Sequence, residues 1–130
     1  MEGSYEPGQI VLRRYVIERL LGQGGMGTVY LARHTELSRK RFAIKTLRPE
    51  LFGLDAIEQR FQRESEVLAK LDHPHIVAIH DYGMEGRTPV MVMEFLQGET
   101  LRDRLLHKGP MSVEETVRVL QETGDALQYL

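Results

Sequence analysis

Three features of this sequence are of a kind that does chemistry: the cluster Gly22-Gln23-Gly24-Gly25-Met26-Gly27, the lysine Lys45 inside an apolar run, and the carboxylate Glu64 on an apolar helical stripe. Glycines carry no side chain, so backbone N–H groups can come close to phosphate oxygens. A lysine ammonium supplies positive charge to the same oxygens, and a carboxylate can hold that lysine in place.

A G-x-G-x-x-G run taken alone also suits a plain hairpin, so its context decides. The dinucleotide-binding version needs a helix directly after the glycines, to set its N-terminus on the pyrophosphate. Here Thr28-Val29-Tyr30-Leu31-Ala32-Arg33 follows, rich in residues that favour strands. The Walker A version needs Lys and then Ser or Thr after the last glycine, whereas Gly27 is followed by Thr28-Val29. What fits is a glycine hairpin folded over a nucleotide, with Val29 covering a base.

Period-two alternation puts Lys45 on the same face as Ala43 and Leu47, where a charge needs a partner. An isolated lysine at a strand edge can instead run its stem along the surface with its head in water. At about 100° per residue, Ile57, Phe61, Leu68 and Leu71 fall on one helical stripe, and Glu64 lies near its middle. The economical pairing is Glu64 with Lys45. Truncating one partner costs about 3–5 kcal/mol in a buried pair, and an exposed pair is worth about 0–1 kcal/mol.

The elements that must position these groups are readable from the pattern. Strands are predicted over Tyr15–Leu21, Thr28–Arg33 and Arg41–Leu47 as an antiparallel meander, then over Ile76–Tyr82 and Pro89–Phe95 about a turn at Gly83–Thr88. Between the two groups a helix is predicted from the capping pair Asp55 and Glu58 to the stop at Asp72-His73-Pro74. Thr100–Lys108 reads as a short helix, and Ser112 with Glu115 opens a longer one. Gly124 inside that helix costs about 1 kcal/mol relative to alanine, which close packing would justify. The periodic pattern runs to Leu130 with no exit signal, so the chain reads as truncated there.

Composition narrows the function classes. A length of 130 residues implies one domain or a piece of one, and 42% hydrophobic with 28% charged residues is ordinary for a globular chain. Seventeen basic against nineteen acidic residues give a net charge of -2, so there is no basic field for nucleic acid. The absence of cysteine excludes disulfides, thiolate nucleophiles and Cys-based zinc sites. His34, His73, His75, His80 and His107 show no metal-ligand spacing, and no metal site is expected from them. Met26, Met91 and Met93 read as packing residues. Neither a signal peptide nor a membrane segment is predicted, which makes the default address cytoplasmic.

Taken in order, Leu21-Gly22-Gln23-Gly24-Gly25-Met26-Gly27-Thr28-Val29, Phe42-Ala43-Ile44-Lys45, Phe61-Gln62-Arg63-Glu64, His73-Pro74-His75-Ile76-Val77 and Val92-Met93-Glu94-Phe95-Leu96 resemble the N-terminal lobe of a eukaryotic-like protein kinase. The bacterial Ser/Thr type is the nearest likeness. The resemblance implies an α+β fold: a five-stranded antiparallel sheet with helix C, followed by the first helices of a helical C-lobe. Residues 1–14 would be a polar leader, 15–96 the N-lobe and hinge, and 97–130 the incomplete beginning of the C-lobe.

By the same resemblance, Gly22 to Gly27 cover the ATP phosphates, Thr28 lying at their end, and Leu21, Val29 and Ala43 line the adenine slot. Lys45 holds the α- and β-phosphates and Glu64 orients it. Met93 is the gatekeeper, while Glu94 and Leu96 offer backbone C=O and N–H to the adenine edge. Leu68 and Ile79 are spine positions behind helix C. The implied activity is transfer of the ATP γ-phosphoryl to a serine or threonine hydroxyl of a protein substrate. No H-R-D-x-x-x-x-N or D-F-G occurs, so the catalytic base and the Mg2+ ligands are expected beyond Leu130, and the fragment alone is expected to be inactive. The alternative is a pseudokinase or a truncated, non-catalytic interaction module.

Overall fold

A computed structural model describes residues 4–25, 27–37 and 39–130. The chain divides into two compact units, Met1–Leu71 with Ala78–Phe95, and Asp72–Val77 with Leu96–Leu130.

The first unit is built on a six-stranded, wholly antiparallel sheet: β1 (Ile10–Val11), β2 (Tyr15–Gln23), β3 (Gly27–His34), β4 (Arg41–Leu47), β5 (Ile79–Glu85) and β6 (Thr88–Glu94), in the order β1-β2-β3-β4-β6-β5. The meander and the third strand stand as the alternation predicts. The sheet has one strand more than the five expected, because the leader folds back: Ile10 and Val11 pair with Val16 and Tyr15. Two residues suffice to make it, and two residues are too few to show an alternation.

Both faces of the sheet are covered. On one face Val11, Tyr15, Ile17, Tyr30, Ala32, Phe42, Ile44, Val90 and Val92 form a core on which Tyr5 and Leu12 pack. Leu12 and Arg13 adopt φ values of 52° and 60°, a left-handed turn that costs L-residues energy. Glu85 Oε2 accepts from the Leu12 N–H at 2.6 Å and holds that turn to β5. On the other face, helix α1 (Asp55–Ala69) lays Phe61 onto Leu47 and Met91, with Ile57, Leu68, Ile79, Tyr82 and Met93 around them.

Several boundaries differ from the sequence expectation, three of them with a visible local cause. The N-cap of α1 is Leu54, with no side-chain cap; Asp55 is already helical, and Glu58 Oε1 accepts from the Gly53 N–H at 3.1 Å. The carboxylate half of the capping pair therefore works without its partner. β5 begins at Ile79 because Asp72–Val77 belongs with the second unit, where the Ile76 N–H turns back to the His73 carbonyl. The β5–β6 turn is only Gly86-Arg87, with Gly86 at φ 61° and Glu85 paired to Thr88. Gly83 stays in the strand. A Cβ there would lie 3.0 Å from Leu12 Cδ2, so this glycine makes room for the leader and does not form the turn.

In the second unit, α2 (Leu101–Lys108) is capped by Thr100, whose hydroxyl accepts from the Asp103 N–H, and α3 (Val113–Tyr129) by Ser112, which accepts from the Glu115 N–H. Arg104 ties the two helices through Glu115 at 2.9 Å. Tyr129 accepts from the Asp72 N–H at 2.9 Å, and its ring packs on His73. A Cβ on Gly124 would meet nothing within 4 Å, so close packing among the described residues does not account for that glycine.

Burial and the neighbouring Asp81 carboxylate push the Tyr15 phenol from the usual 10 up to about 12. Burial and Glu85 do the same to Tyr5. Because the folded state favours the neutral phenols, their stabilisation is complete below pH 10 and is lost as pH rises through 10 toward 12. Thermal midpoints across that window should fall with pH, and fall less steeply in Tyr15→Phe.

Candidate functional site

The sheet face that carries α1 also carries the chemically interesting residues. Register pairs Lys45 with Val29 on one side and Met91 on the other, and Ala43 with Leu31 and Met93. Cross-strand partners point to the same side of a sheet. Val29, Ala43, Lys45 and Met93 therefore share one face, continuous with the apolar surface on which α1 packs.

Lys45 Nζ lies 3.1 Å from Glu64 Oε1. The strand and the helix are held in this relation by Phe61, fully buried against Leu47, which is two residues from Lys45 along the same face of β4. The sequence expectation of the pair is met in its partners. It is not met in its burial, since the Lys45 and Glu64 side chains are 23% and 37% exposed.

Geometry explains the shortfall. Helix α1 ends at Ala69, so Leu71 leaves the stripe, and Ser65 joins Phe61 as a buried residue, its hydroxyl bonded to the Phe61 carbonyl at 2.9 Å. At about 100° per residue the centre of the buried face then passes near Phe61, and Glu64 lies about 60° to one side, on the flank.

The glycine segment spans the end of β2 and the start of β3. Leu21, Gly22 and Gln23 are still in β2, Gly22 pairs with Val29, and Gln23 pairs with Thr28. Register slips between Leu20 and Gly22, leaving Leu21 in a bulge. The Gly24 N–H donates to the Gly27 carbonyl at 2.8 Å, so the turn is tight. Met26 lies outside the described residues. Gly24 and Gly25 are exposed, and Gly27 is buried.

Gly27 has a specific steric reason to be glycine. A Cβ there would sit 3.0 Å from Lys45 Cε, 3.2 Å from Lys45 Cγ and 3.0 Å from the Thr46 carbonyl. The lysine stem thus runs through the space a side chain would need. Thr28, paired with Thr46, is buried on the opposite face from Lys45, so only its backbone is available on the glycine side.

At the far end of the face, the Glu94 N–H donates to the Ala78 carbonyl at 3.0 Å, and Glu94 Oε1 accepts from the Ala78 N–H at 3.0 Å. Leu96 falls in the second unit and is 65% exposed. Leu68 and Ile79, read as spine positions, both pack on the Leu47, Phe61 and Met91 cluster. Sequence reasoning passed over Arg48, whose Nη1 donates to the Gly24 carbonyl at 3.4 Å. A basic residue just after a strand carries no sign of where its long side chain reaches.

The glycine turn, the lysine and the helical glutamate that meets it all lie within residues 15–130, the span that the protein kinase domain family matches. The chain belongs to the protein kinase family. It is 40% identical over 120 residues to the serine/threonine-protein kinase PknA of Mycobacterium tuberculosis H37Rv, a match covering 88% of this chain and 28% of PknA. It is 36% identical over 122 residues to the serine/threonine-protein kinase PrkC of Bacillus subtilis 168, covering 94% of this chain and 19% of PrkC. The solved kinase domain of M. tuberculosis PknI aligns with a TM-score of 0.80 at 31% identity, over 97% of this chain and 51% of that one.

The first unit accordingly has the architecture of a kinase N-lobe, with α1 as helix C, and α2 and α3 correspond to the start of a C-lobe. This kinase chain spans about half the length of the solved domain and less than a third of PknA and PrkC.

Because the Lys45–Glu64 pair is part-exposed, Glu64→Ala should lower unfolding free energy by about 0–1 kcal/mol in denaturant titration, not the larger loss of a buried pair. Gly27→Ala should instead act on the site, since its new methyl must displace the Lys45 stem or the Thr46 carbonyl. The amine resonance of Lys45, followed by NMR, should move in Gly27→Ala and stay in place in Gly25→Ala, where a Cβ meets nothing within 4 Å.

Proposed function

We propose that this chain is the ATP-binding portion of a serine/threonine protein kinase, with Lys45 and Glu64 as its phosphate-positioning pair. The observation that carries the reading is the 3.1 Å Lys45–Glu64 contact made directly beside Gly27, whose missing Cβ leaves space for the lysine stem. Phosphoryl transfer asks little covalent chemistry of the protein, so placing charges and excluding misorientation provide most of the rate.

Each group on the face then has a task. Lys45 holds the α- and β-phosphate oxygens, and Glu64 takes up one side of its ammonium so that the amine keeps one direction. Gly22, Gln23, Gly24, Gly25, Met26, Gly27 and Thr28 cover the phosphates through their backbone. Leu21, Val29 and Ala43 line the adenine slot, with Met93 at its back wall.

Glu94 and Leu96 read the adenine edge through backbone C=O and N–H. Support for Glu94 acting through its backbone comes from its carboxylate, already engaged by the Ala78 N–H. ATP supplies the phosphoryl group, and Mg2+ accompanies it in this chemistry. Among the described residues no three His, Asp or Glu side chains converge on a metal set. Because neither H-R-D-x-x-x-x-N nor D-F-G occurs in the sequence, the protein ligands of the ion and the base that takes the hydroxyl proton are assigned outside residues 1–130, and the 130-residue chain alone is expected to be inactive.

The test is Lys45→Met in the full-length protein. Phosphoryl transfer to a protein substrate should fall by about 100-fold to 1000-fold, the range seen when one charge-stabilising donor is removed. The thermal midpoint should change little, because Lys45 contributes a part-exposed pair and no core packing. Unchanged transfer would refute the assignment of Lys45. ATP binding without transfer in the wild-type protein would favour a non-catalytic module.

A further inference from the structure

The proposed phosphate site leaves one peptide plane to be explained. Gly24 N–H is held by the Gly27 carbonyl at 2.8 Å, which fixes the peptide before Gly24. The next peptide joins Gly24 to Gly25, two residues without Cβ atoms. A Cβ on Gly25 would meet nothing within 4 Å, and one on Gly24 would make only an ordinary contact at 3.9 Å. Sterics therefore do not choose the orientation of this peptide. Its one hydrogen bond among the described residues is the one from Arg48 Nη1 to the Gly24 carbonyl at 3.4 Å.

Arg48 is itself aimed. Its Nε donates to Glu50 Oε2 at 3.2 Å, and it follows the end of β4 directly, three residues after Lys45. A planar guanidinium with one edge on a carboxylate presents its other donors in a fixed direction. In a planar trans peptide the C=O and the following N–H point opposite ways. Pinning the Gly24 carbonyl thereby fixes the direction of the Gly25 N–H. A flipped peptide would turn a carbonyl oxygen where the N–H had been, and a phosphate would be repelled in place of bound.

We propose that Arg48 is a positioning residue that selects the Gly24–Gly25 peptide orientation and so aims the Gly25 N–H for phosphate binding. The inference rests on the ATP-site reading above. It also makes β4 the common support of the site, since Lys45 lies on that strand and Arg48 directly follows its last residue.

The experiment measures dissociation constants for ATP and for adenosine in the full-length protein, for wild type, Arg48→Met, Arg48→Lys and Glu50→Gln, with thermal midpoints as a check on folding. Arg48→Met should weaken ATP by about tenfold, the effect of one charge-assisted hydrogen bond, and leave adenosine unchanged. Arg48→Lys should recover part of the loss, and Glu50→Gln should show a smaller loss in the same direction. In nucleotide-free protein the Gly25 amide order parameter should drop in Arg48→Met.

Equal weakening of ATP and adenosine would make Arg48 a merely structural residue and overturn the proposal, as would no weakening of either. Loss of ATP affinity with an unchanged Gly25 amide would mean that the guanidinium acts on the phosphates itself, which also overturns the positioning role. A wild-type protein that binds neither compound would bring down the ATP-site reading, and this inference with it. A wild-type protein that binds ATP while Arg48→Met binds it equally well brings down this inference alone.

Discussion

The packing of Phe61 on Leu47 and Met91 is the constraint around which the first unit is arranged, and the Lys45–Glu64 contact depends on it. One partner sits in the middle of a strand and the other on a helix that enters after the strand ends, so the pair exists only if the helix lies across that face at one position. Packing supplies the position: Phe61 is fully buried against Leu47 and Met91, and Ile57 and Leu68 seat the helix to either side. The ion pair itself is too exposed to hold the helix there. Apolar burial sets the geometry, and the charges use it.

That division suits a site whose work is positioning. A pair that contributed several kcal/mol of stability would be hard to disturb, and a lysine buried deeply enough to do so would be poorly placed to reach a nucleotide. Under the proposed function, its part-exposed setting leaves the ammonium able to meet phosphate oxygens while Glu64 limits where it can go. Gly27 adds a second limit from below, because a Cβ there would press on the Lys45 stem at 3.0–3.2 Å. The opposite face has a different task. There the leader closes over the sheet, with Leu12 seated on Gly83 and its N–H on Glu85, and gives β2 to β6 a second core independent of the site.

Most of the fold was legible because its signals are local. The alternation in Arg41–Leu47 gave the strand to the residue, Ser112 and Thr100 capped the helices they announce, and the glycines between two strand-like runs excluded a helix after them. The signals misread were glycines and ends. Gly83 looked like a turn residue and proved to be a packing glycine, since a sequence does not say whether a missing Cβ serves the backbone angle or a neighbour. Strand β1 was missed because two residues show no period.

By itself, the sequence determined which groups could meet: a glycine turn, a lysine on a defined strand face, a glutamate on a helical stripe, and the order of motifs that marks a protein kinase domain. Residue type and spacing suffice for that, because strand and helix periods are fixed by backbone geometry. Tertiary structure decided how the groups meet. It moved Glu64 from the centre of its stripe to the flank, because the helix stops at Ala69 and Ser65 takes a place in the buried face. It brought Arg48 onto Gly24 across 24 residues of chain, a contact that depends on how β3 and β4 register and on the reach of one long side chain. Neither quantity is written in any local pattern, since both follow from where separate elements come to rest against a shared core.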